Sequence, residues 1–332
     1  MDARSIGGRS WMGTGGGGPY GKGEPAARPE AAMTPIRHVL CPTDFSTFSE
    51  RALRYAVLLS KWFGSDLTCL FVLAGSSAPL QDFPPYWTPV GADPAAKEKM
   101  RERLRRFAEP AEVAGVPVRM EIAEGVPAAA ILQEARRVPG TLVVIGTHGH
   151  GGFENLVLGS VAEKVLRKVP GPVLTIPREP ERSPAAGVPF GRIVCAIDFS
   201  PSSETAFETA LDLAAAAGGG VTAVHVLREL PVSDAPENVH FNVPEYRRIL
   251  EKEAHDRLKA LVSSRGRGRP VETRVLTGKP WRRLLHFAHE AEADLLVLGV
   301  QGRSAADLLL FGSTAHHLVR TAPCPVLTVR GG

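Results

Sequence analysis

Short apolar runs alternate along the chain with segments whose apolar residues recur every three or four positions. Runs such as 39–41 and 142–145 have the continuity of buried strands, and the segments between such runs have the period of amphipathic helices. Up to about residue 176 the alternation predicts five strands and four helices. This order is typical of a parallel sheet with right-handed crossovers and helices on both faces.

The same alternation returns in the second half of the chain. Asp198 lies 154 residues after Asp44, and Gly299 lies 153 residues after Gly146. An offset this constant indicates two copies of one domain rather than a shared local motif. The predicted organisation is an N-terminal extension (1–34), a first domain (35–177), a linker (178–191) and a second domain (192–330).

The N-terminal extension is rich in Gly, Pro and Ala and has no hydrophobic period. Such a segment buries too little apolar surface to offset the entropy of ordering, so we expect residues 1–34 to be disordered. Met33 is an alternative start of the native chain. The intact mass of the native protein tests this hypothesis, and a mass that begins at Met1 would exclude it.

Composition and charge narrow the class of function. The chain has 332 residues, and its 44% apolar and 22% charged residues are typical of a globular protein. The net charge of +4 comes from scattered residues and argues against nucleic acid binding, and no apolar run has the roughly 18 residues of a membrane span. Four cysteines without a C-x-x-C pair indicate buried, reduced thiols and a cytoplasmic location.

The first helix of each half is predicted to begin just after a strand and an aspartate. Ser46 or Thr47 is the expected N-cap in the first half, because Thr47 and Glu50 have the spacing of a capping box. In the second half Ser200 precedes Pro201, which is a preorganised helix start.

Each half also has a glycine-rich loop between a strand and a helix. Both loops read G-x-x-G, then nine residues, then G-S. The residues of this pattern are Gly146, Gly149, Gly159 and Ser160 in the first half, and Gly299, Gly302, Gly312 and Ser313 in the second. Glycines let the backbone approach an anion, and a helix start offers N–H groups and the positive end of the dipole. The pattern therefore predicts two phosphate sites.

Asp44 and Asp198 follow the first strands of the two halves. In open α/β sheets, ligands bind beyond the carboxyl ends of the strands where the strand order reverses. If the first and fourth strands are neighbours, each aspartate faces a glycine loop and can accept hydrogen bonds from ribose or adenine. The alternative role of each aspartate is that of an acid that only compensates the helix dipole.

Together these motifs resemble the universal stress protein family. The resemblance rests on Asp-Phe-Ser after the first strand of each half, on the two glycine loops, and on the Pro-Val-Leu-Thr runs at Pro172 and Pro325. It implies two tandem doubly wound domains, each with a five-stranded parallel sheet of order 3-2-1-4-5, and the ATP-binding subclass. It also implies pairing through antiparallel fifth strands, within one chain or in a homodimer.

The resemblance assigns roles to residues of an ATP site. The aspartates would contact adenosine, two valines of the second strands would offer backbone groups to adenine, and the loops would hold ribose and phosphates. The implied nucleotide-binding residues are Asp44, Val72, Gly146, Gly149, Gly159, Ser160 and Val161 in the first half, and Asp198, Val226, Gly299, Gly302, Gly312, Ser313 and Thr314 in the second. The implied cofactor is ATP, with or without Mg²⁺.

The loops differ in their basic residues. His150 stands where the second loop has Arg303, so we expect weaker phosphate attraction in the first site near neutral pH, where histidine is mostly uncharged. Neither His148 with His150 nor the pair on the last helix, His316 and His317, has further ligands nearby in sequence, so no metal site is predicted.

The loop over residues 75–92 carries Tyr86 and Trp87. One interpretation is a lid over the first site, and the other is an ordinary loop with buried aromatic anchors. If the fluorescence of Trp87 does not respond to nucleotide, the lid interpretation fails.

The sequence predicts a binding protein rather than an enzyme. It contains no G-x-x-x-x-G-K-S/T, S-G-G-x-D-S or G-x-S-x-G motif and no evident base for water attack, so slow ATP hydrolysis is the most we expect. The predicted function is an adenine-nucleotide-binding regulatory or stress-response module without nucleic acid or membrane partners. The alternatives are a nucleotide-independent adaptor protein and a weak ATPase.

Overall fold

The computed structural model describes residues 36–73, 94–149, 158–178, 180, 190–228, 243–300 and 311–331. The N-terminal extension and the 75–92 loop lie outside the described residues, as do His150, Gly302 and Arg303. Within the described residues, the predicted alternation of five strands and four helices is present in each half.

The elements of the first half are β1 (His38–Thr43), α1 (Thr47–Phe63), β2 (Asp66–Leu73), α2 (Pro94–Val113), β3 (Val118–Glu124), α3 (Pro127–Arg137), β4 (Thr141–Gly146), α4 (Ser160–Lys168) and β5 (Val173–Ile176). Those of the second half are β6 (Arg192–Ile197), α5 (Pro201–Ala217), β7 (Gly220–Leu227), α6 (Val243–Arg265), β8 (Val271–Thr277), α7 (Pro280–Glu290), β9 (Leu295–Gly299), α8 (Ser313–Thr321) and β10 (Val326–Val329).

Serine side chains cap the first helix of each half. The hydroxyl of Ser46 accepts from the backbone N–H of Ser49, so Ser46 is the N-cap of α1. The capping box predicted at Thr47 is wrong, because Thr47 is already the first residue of the helix. The prediction for α5 is confirmed, since Ser200 is its N-cap and Pro201 its first residue.

All ten strands form a single sheet of order β3-β2-β1-β4-β5-β10-β9-β6-β7-β8. The prediction of one five-stranded sheet in each half is therefore wrong, although each half keeps parallel strands in the order 3-2-1-4-5. The halves join where β5 and β10 pair antiparallel, with Leu174 opposite Leu327. Each strand would otherwise leave a row of unpaired backbone groups at a sheet edge, and the pairing satisfies both rows.

Threonine side chains add to the join between the halves. The buried hydroxyl of Thr175 donates to the carbonyl of Val326 (3.1 Å), and that of Thr328 donates to the carbonyl of Val173 (3.2 Å). The seam, defined as β5 with β10, is thus held by backbone and side-chain hydrogen bonds.

Arg330 follows β10 and reaches the C-terminus of α4 in the other half. Its Nε donates to the carbonyl of Val169 (2.7 Å), and its Nη2 donates to those of Leu166 (3.1 Å) and Arg167. The last carbonyls of a helix lack partners within the helix, and a cation is favourable there. Arg330 therefore ties the second half to α4.

Two apolar layers cover the faces of the sheet. Neighbouring strand residues alternate between them, so that Cys41 packs with α1 and α2 and Leu40 packs with α3 and α4. Cys41 and Cys195 are buried free thiols at equivalent positions of the two halves. Among the described helices, none combines the length and the apolar character needed to cross a membrane.

Candidate functional site

The strand order of each half reverses between its first and fourth strands. Strand β1 pairs with β2 on one side and with β4 on the other, and β6 lies in the same way between β7 and β9. Asp44 follows β1, and the first glycine loop follows β4. The carboxyl ends of neighbouring parallel strands open at one edge of the sheet, which places this aspartate and this loop at one crevice.

Hydrogen bonds from the start of the next helix fix both aspartates. Oδ1 of Asp44 accepts from the backbone N–H (3.0 Å) and the hydroxyl (2.6 Å) of Ser46. Oδ1 of Asp198 accepts from the same groups of Ser200, at 3.0 and 2.5 Å. Each carboxylate is half-buried, and its orientation is repeated in the two halves.

Gly149 lies against the other oxygen of Asp44. A Cβ added to Gly149 would be 2.6 Å from Oδ2 of Asp44, a distance that real Cβ atoms essentially never show. The first crevice thus brings together the aspartate and the loop that the sequence places 105 positions apart. The equivalent Gly302 of the second half is outside the described residues.

Gly146 and Gly299 have a different environment, at the ends of β4 and β9. A Cβ on Gly146 would be 3.1 Å from the Cβ and the carbonyl oxygen of Phe48, and one on Gly299 would be 2.5 Å from Oγ of Ser202. Close packing of each strand end on α1 or α5 therefore accounts for these two glycines. Their geometry positions the strand, and it requires no ligand.

Gly159 and Gly312 close the two loops and begin the helices that follow. The N–H of Gly159 donates to the carbonyl of Thr147 (2.9 Å), and that of Gly312 donates to the carbonyl of Val300 (3.1 Å). Both glycines are N-caps without a side-chain hydrogen bond. The predicted residues that follow them in the first helical turn are Ser160 and Val161, and Ser313 and Thr314.

The first turns of α4 and α8 have the features of an anion site. The first N–H groups of a helix have no acceptor within the helix, and the N-cap glycines have no side chain that could accept from them. Ser160 is exposed, and its hydroxyl can add a further donor. The N-termini also carry the positive end of the helix dipole. A phosphate group is the kind of ligand that such an end attracts.

Val72 is the last residue but one of β2, and β2 extends beyond β1. The ladder between these strands ends at the pair of Thr43 and Phe71. The carbonyl of Leu73 accepts from the N–H of Gly125, on the β3 side. Consecutive strand residues direct their backbone groups to opposite sides, so those of Val72 face the side where β1 has ended.

The second half repeats this arrangement around Val226. The carbonyl of Leu227 accepts from the N–H of Gly278 at 2.8 Å, on the β8 side. The backbone groups of Val226 are therefore directed towards β6, whose ladder with β7 ends at the pair of Ile197 and His225. Both valines thus direct backbone groups towards the side where the first strand of their half has ended.

Two phenylalanines beside the aspartates did not stand out from the sequence as special. Phe45 (φ 62°) and Phe199 (φ 60°) have left-handed backbone conformations, which are uncommon for bulky residues. The guanidinium of Arg103 lies 4.5 Å from the Phe45 ring, and that of Arg257 lies 4.0 Å from the Phe199 ring. The repeated Asp-Phe-Ser was the available signal, since this turn lets the aspartate meet the serine N–H.

His148 lies on the first loop. Its Nδ1 is 2.9 Å from the hydroxyl of Thr147, and its ring centroid is 5.6 Å from that of Phe48. Burial, with the charges of Arg178 and Arg320, lowers the pKa of His148. Within the part of the chain that the structure describes, no three candidate ligand side chains come together around a metal position.

A separate cavity of about 290 Å³ lies beside the seam. Its apolar lining includes Leu59, Leu142, Leu174, Phe190 and Leu327. None of the predicted nucleotide-binding residues contributes to it. The candidate functional sites are therefore the two crevices at the carboxyl ends of β1 with β4 and of β6 with β9.

The family profile and the similar proteins of known sequence all point to one family. The sequence profile of the universal stress protein family matches residues 35–177 and 189–330. Universal stress protein MJ0531 of Methanocaldococcus jannaschii is 33% identical over 140 residues, which are 42% of this chain and 81% of that protein. Universal stress protein Rv1996 of Mycobacterium tuberculosis is 30% identical over 191 residues, 57% of this chain; the chain spans 58% of that relative's length.

A solved structure matches the fold of both halves together. The crystal structure of a universal stress protein from Archaeoglobus fulgidus DSM 4304 superposes with a TM-score of 0.61 at 22% identity. The match covers 90% of this chain and 99% of that one. With the profile matching both halves and the fold shared along nearly the whole length, the chain belongs to the universal stress protein family.

Proposed function

We propose that this protein binds an adenine nucleotide in each of its two crevices and acts as a regulatory or stress-response module. The observation that carries the proposal is the contact of Gly149 with Oδ2 of Asp44, beside the uncapped start of α4. A ligand at this place would meet a fixed carboxylate at one end and helix N–H donors at the other.

The proposed ligand is ATP, with or without Mg²⁺. Asp44 accepts hydrogen bonds from the adenosine, and the backbone groups of Val72 meet the adenine. A side chain at position 149 would collide with the carboxylate of Asp44. Because glycine has none, the backbone at this position can approach the ligand closely. The first-turn N–H groups and the hydroxyl of Ser160 hold phosphate oxygens.

The second crevice is proposed to work in the same way. Asp198 and the backbone of Val226 take the adenosine end, and Gly312 with Ser313 takes the phosphates. The support is the repetition of the aspartate turn and of the glycine cap with the same partners. Gly146 and Gly299 serve the site indirectly, by holding the strand ends against the helices.

The proposed organisation is a monomer of two domains, 35–177 and 192–330, that pair through the seam. The hydrogen bonds between β5 and β10 support pairing within one chain. The mass in solution from light scattering tests this arrangement, and a dimeric mass would contradict it. The buried free cysteines favour a reducing compartment such as the cytoplasm.

Substitution of the glycine caps tests the function. Aspartate is a favourable N-cap, so Gly159→Asp and Gly312→Asp should keep their helices intact while they place a negative charge at the phosphate position. In calorimetric titrations with ATP and AMP, each substitution should remove one site, and the double variant should bind neither nucleotide. A wild-type protein that is folded but binds no nucleotide would refute the proposal and favour the adaptor alternative.

A further inference from the structure

The seam brings the end of α8 beside the first crevice. Val326 lies opposite Thr175, so the chain that enters β10 passes the carboxyl end of β5. At this same end, the carbonyl of Ile176 accepts from the N–H of Thr147, where the first glycine loop begins. The last turn of α8, with Arg320, belongs to the second half but borders the first loop.

Arg320 has a buried donor without an acceptor. Its Nε is inaccessible to solvent, and it has no hydrogen-bond partner among the described residues. Its charge lies close enough to His148 to contribute to the lowered pKa of that histidine. An unpaired buried donor is unfavourable, and a movement of the side chain that let Nε meet a ligand oxygen at the first loop would remove this cost.

The equivalent residue of the first half is Arg167, 153 positions earlier. Nη2 of Arg167 lies 2.8 Å from Oε1 of Glu163, one helical turn before it. One turn before Arg320 the chain has His316, whose pKa is lowered by burial and by the charge of Arg320. The charge of Arg167 is therefore compensated within its own helix, whereas that of Arg320 is not.

The two glycine loops also differ in whether they carry an arginine of their own. The second loop carries Arg303 in its sequence, and the first has His150 at that position. The half whose loop lacks the arginine has Arg178 of its own near His148, and Arg320 of the neighbouring half adds a second guanidinium there. Guanidinium groups suit phosphate because their N–H donors can bind two oxygens at once.

We propose that Arg320 binds the phosphates of the nucleotide in the first crevice, so that both halves build this site. Asp44 follows β1, whereas Arg320 borders the end of β5, with β4 between them. The guanidinium therefore meets the distal phosphates, and the ligand class is a nucleoside di- or triphosphate. The inference rests on the proposed nucleotide-binding function.

The test uses the full chain with Gly312→Asp, so that only the first site is measured. ATP and AMP are titrated by calorimetry into this protein and into versions that also carry Arg320→Gln, Arg320→Lys or Arg167→Gln. Arg320→Gln should weaken ATP binding about 10- to 100-fold, the loss expected for one charged hydrogen-bonding group, and AMP binding by less than about threefold. Arg320→Lys should be intermediate, and Arg167→Gln should match the parent.

Several outcomes would overturn the inference. They are an unchanged ATP affinity in Arg320→Gln, an equal loss for ATP and AMP, or an equal loss in Arg167→Gln. Arg320→Lys keeps the charge. If this variant loses as much ATP binding as Arg320→Gln and also unfolds at a lower temperature than the parent, Arg320 has a structural role instead. If the parent with Arg320 intact binds no ATP, the proposed function of this site fails as well.

Discussion

Arg330→Met removes a contact that joins the two halves. Hydrogen bonds from a charged donor stabilise by about 1.5–3 kcal/mol, and a partly buried cation at a helix C-terminus by up to about 2 kcal/mol. The guanidinium of Arg330 donates to three carbonyls, but burial also lowers its pKa, because its charge is partly removed from water. We therefore expect a net loss of about 2 kcal/mol in the free energy of unfolding.

Thermal and urea denaturation measure this loss. For a chain of 332 residues, an unfolding entropy of about 2.1 cal/mol/K per residue makes this a fall in melting temperature of about 3 °C. Arg192→Met is the matched control, because Arg192 forms an exposed ion pair with Glu292 (2.9 Å) that contributes less than about 1 kcal/mol. Arg330→Lys should recover part of the stability, since it keeps the charge but lacks the forked donors.

Equal destabilisation by Arg330→Met and Arg192→Met would refute the reasoning. The position equivalent to Arg330 in the first half is Pro177, which has no donor, so no second contact of this kind compensates for the loss. An unchanged melting temperature would mean that the hydrogen bonds across the seam do not hold α4 in solution.

Three other outcomes are expected. Gly149→Ala should weaken nucleotide binding at the first site at least about tenfold, because its Cβ would lie 0.8 Å closer to Oδ2 of Asp44 than the 3.4 Å of an ordinary contact. Gly159→Ala should bind nearly as the wild type, because its Cβ would lie 3.5 Å from its nearest neighbour. The reverse order would contradict the described crevice. Burial and a nearby arginine lower the pKa of His38 below its ordinary 6.5, so the unfolded chain binds more protons than the folded one. The free energy of unfolding should therefore decrease as the pH falls through 6.5. His38→Gln should flatten this dependence of stability on pH, and an unchanged dependence would exclude His38 as its source. Burial raises the pKa of Cys69 to about 12, and all four thiols are buried. Ellman's reagent should therefore modify the thiols only when the protein unfolds, and fast labelling of the native protein would contradict this burial.

Much of each half could be predicted from local patterns. Apolar runs marked the strands, and the repeated offset between Asp44 and Asp198 showed that one fold occurs twice. The neighbouring positions of β1 and β4 followed from this fold, and the contact of Asp44 with Gly149 agrees with that expectation. These features depend on patterns that recur within a few residues or within one domain.

The remaining features depend on contacts between distant residues. The four residues of β5 do not themselves indicate that their partner is β10, about 150 positions later. Only the family resemblance implied this pairing, and it left open whether the partner strand belongs to the same chain, so the residue pattern alone did not predict the single ten-stranded sheet. The motif likewise could not separate Gly146, which is required by the packing of Phe48, from Gly149, which lies against Asp44. A sequence pattern records that glycine is present, whereas its neighbours reveal the reason.

The number of nucleotides bound per chain tests the central claim most directly. Native mass spectrometry of the purified full chain, titrated with ATP, should show mass increments of one and then two nucleotides on a monomer. Gly159→Asp and Gly312→Asp should each stop at one increment, and the double variant should show none. A folded wild-type chain that gains no nucleotide mass, or a double variant that still gains two, would contradict the assignment of the two crevices.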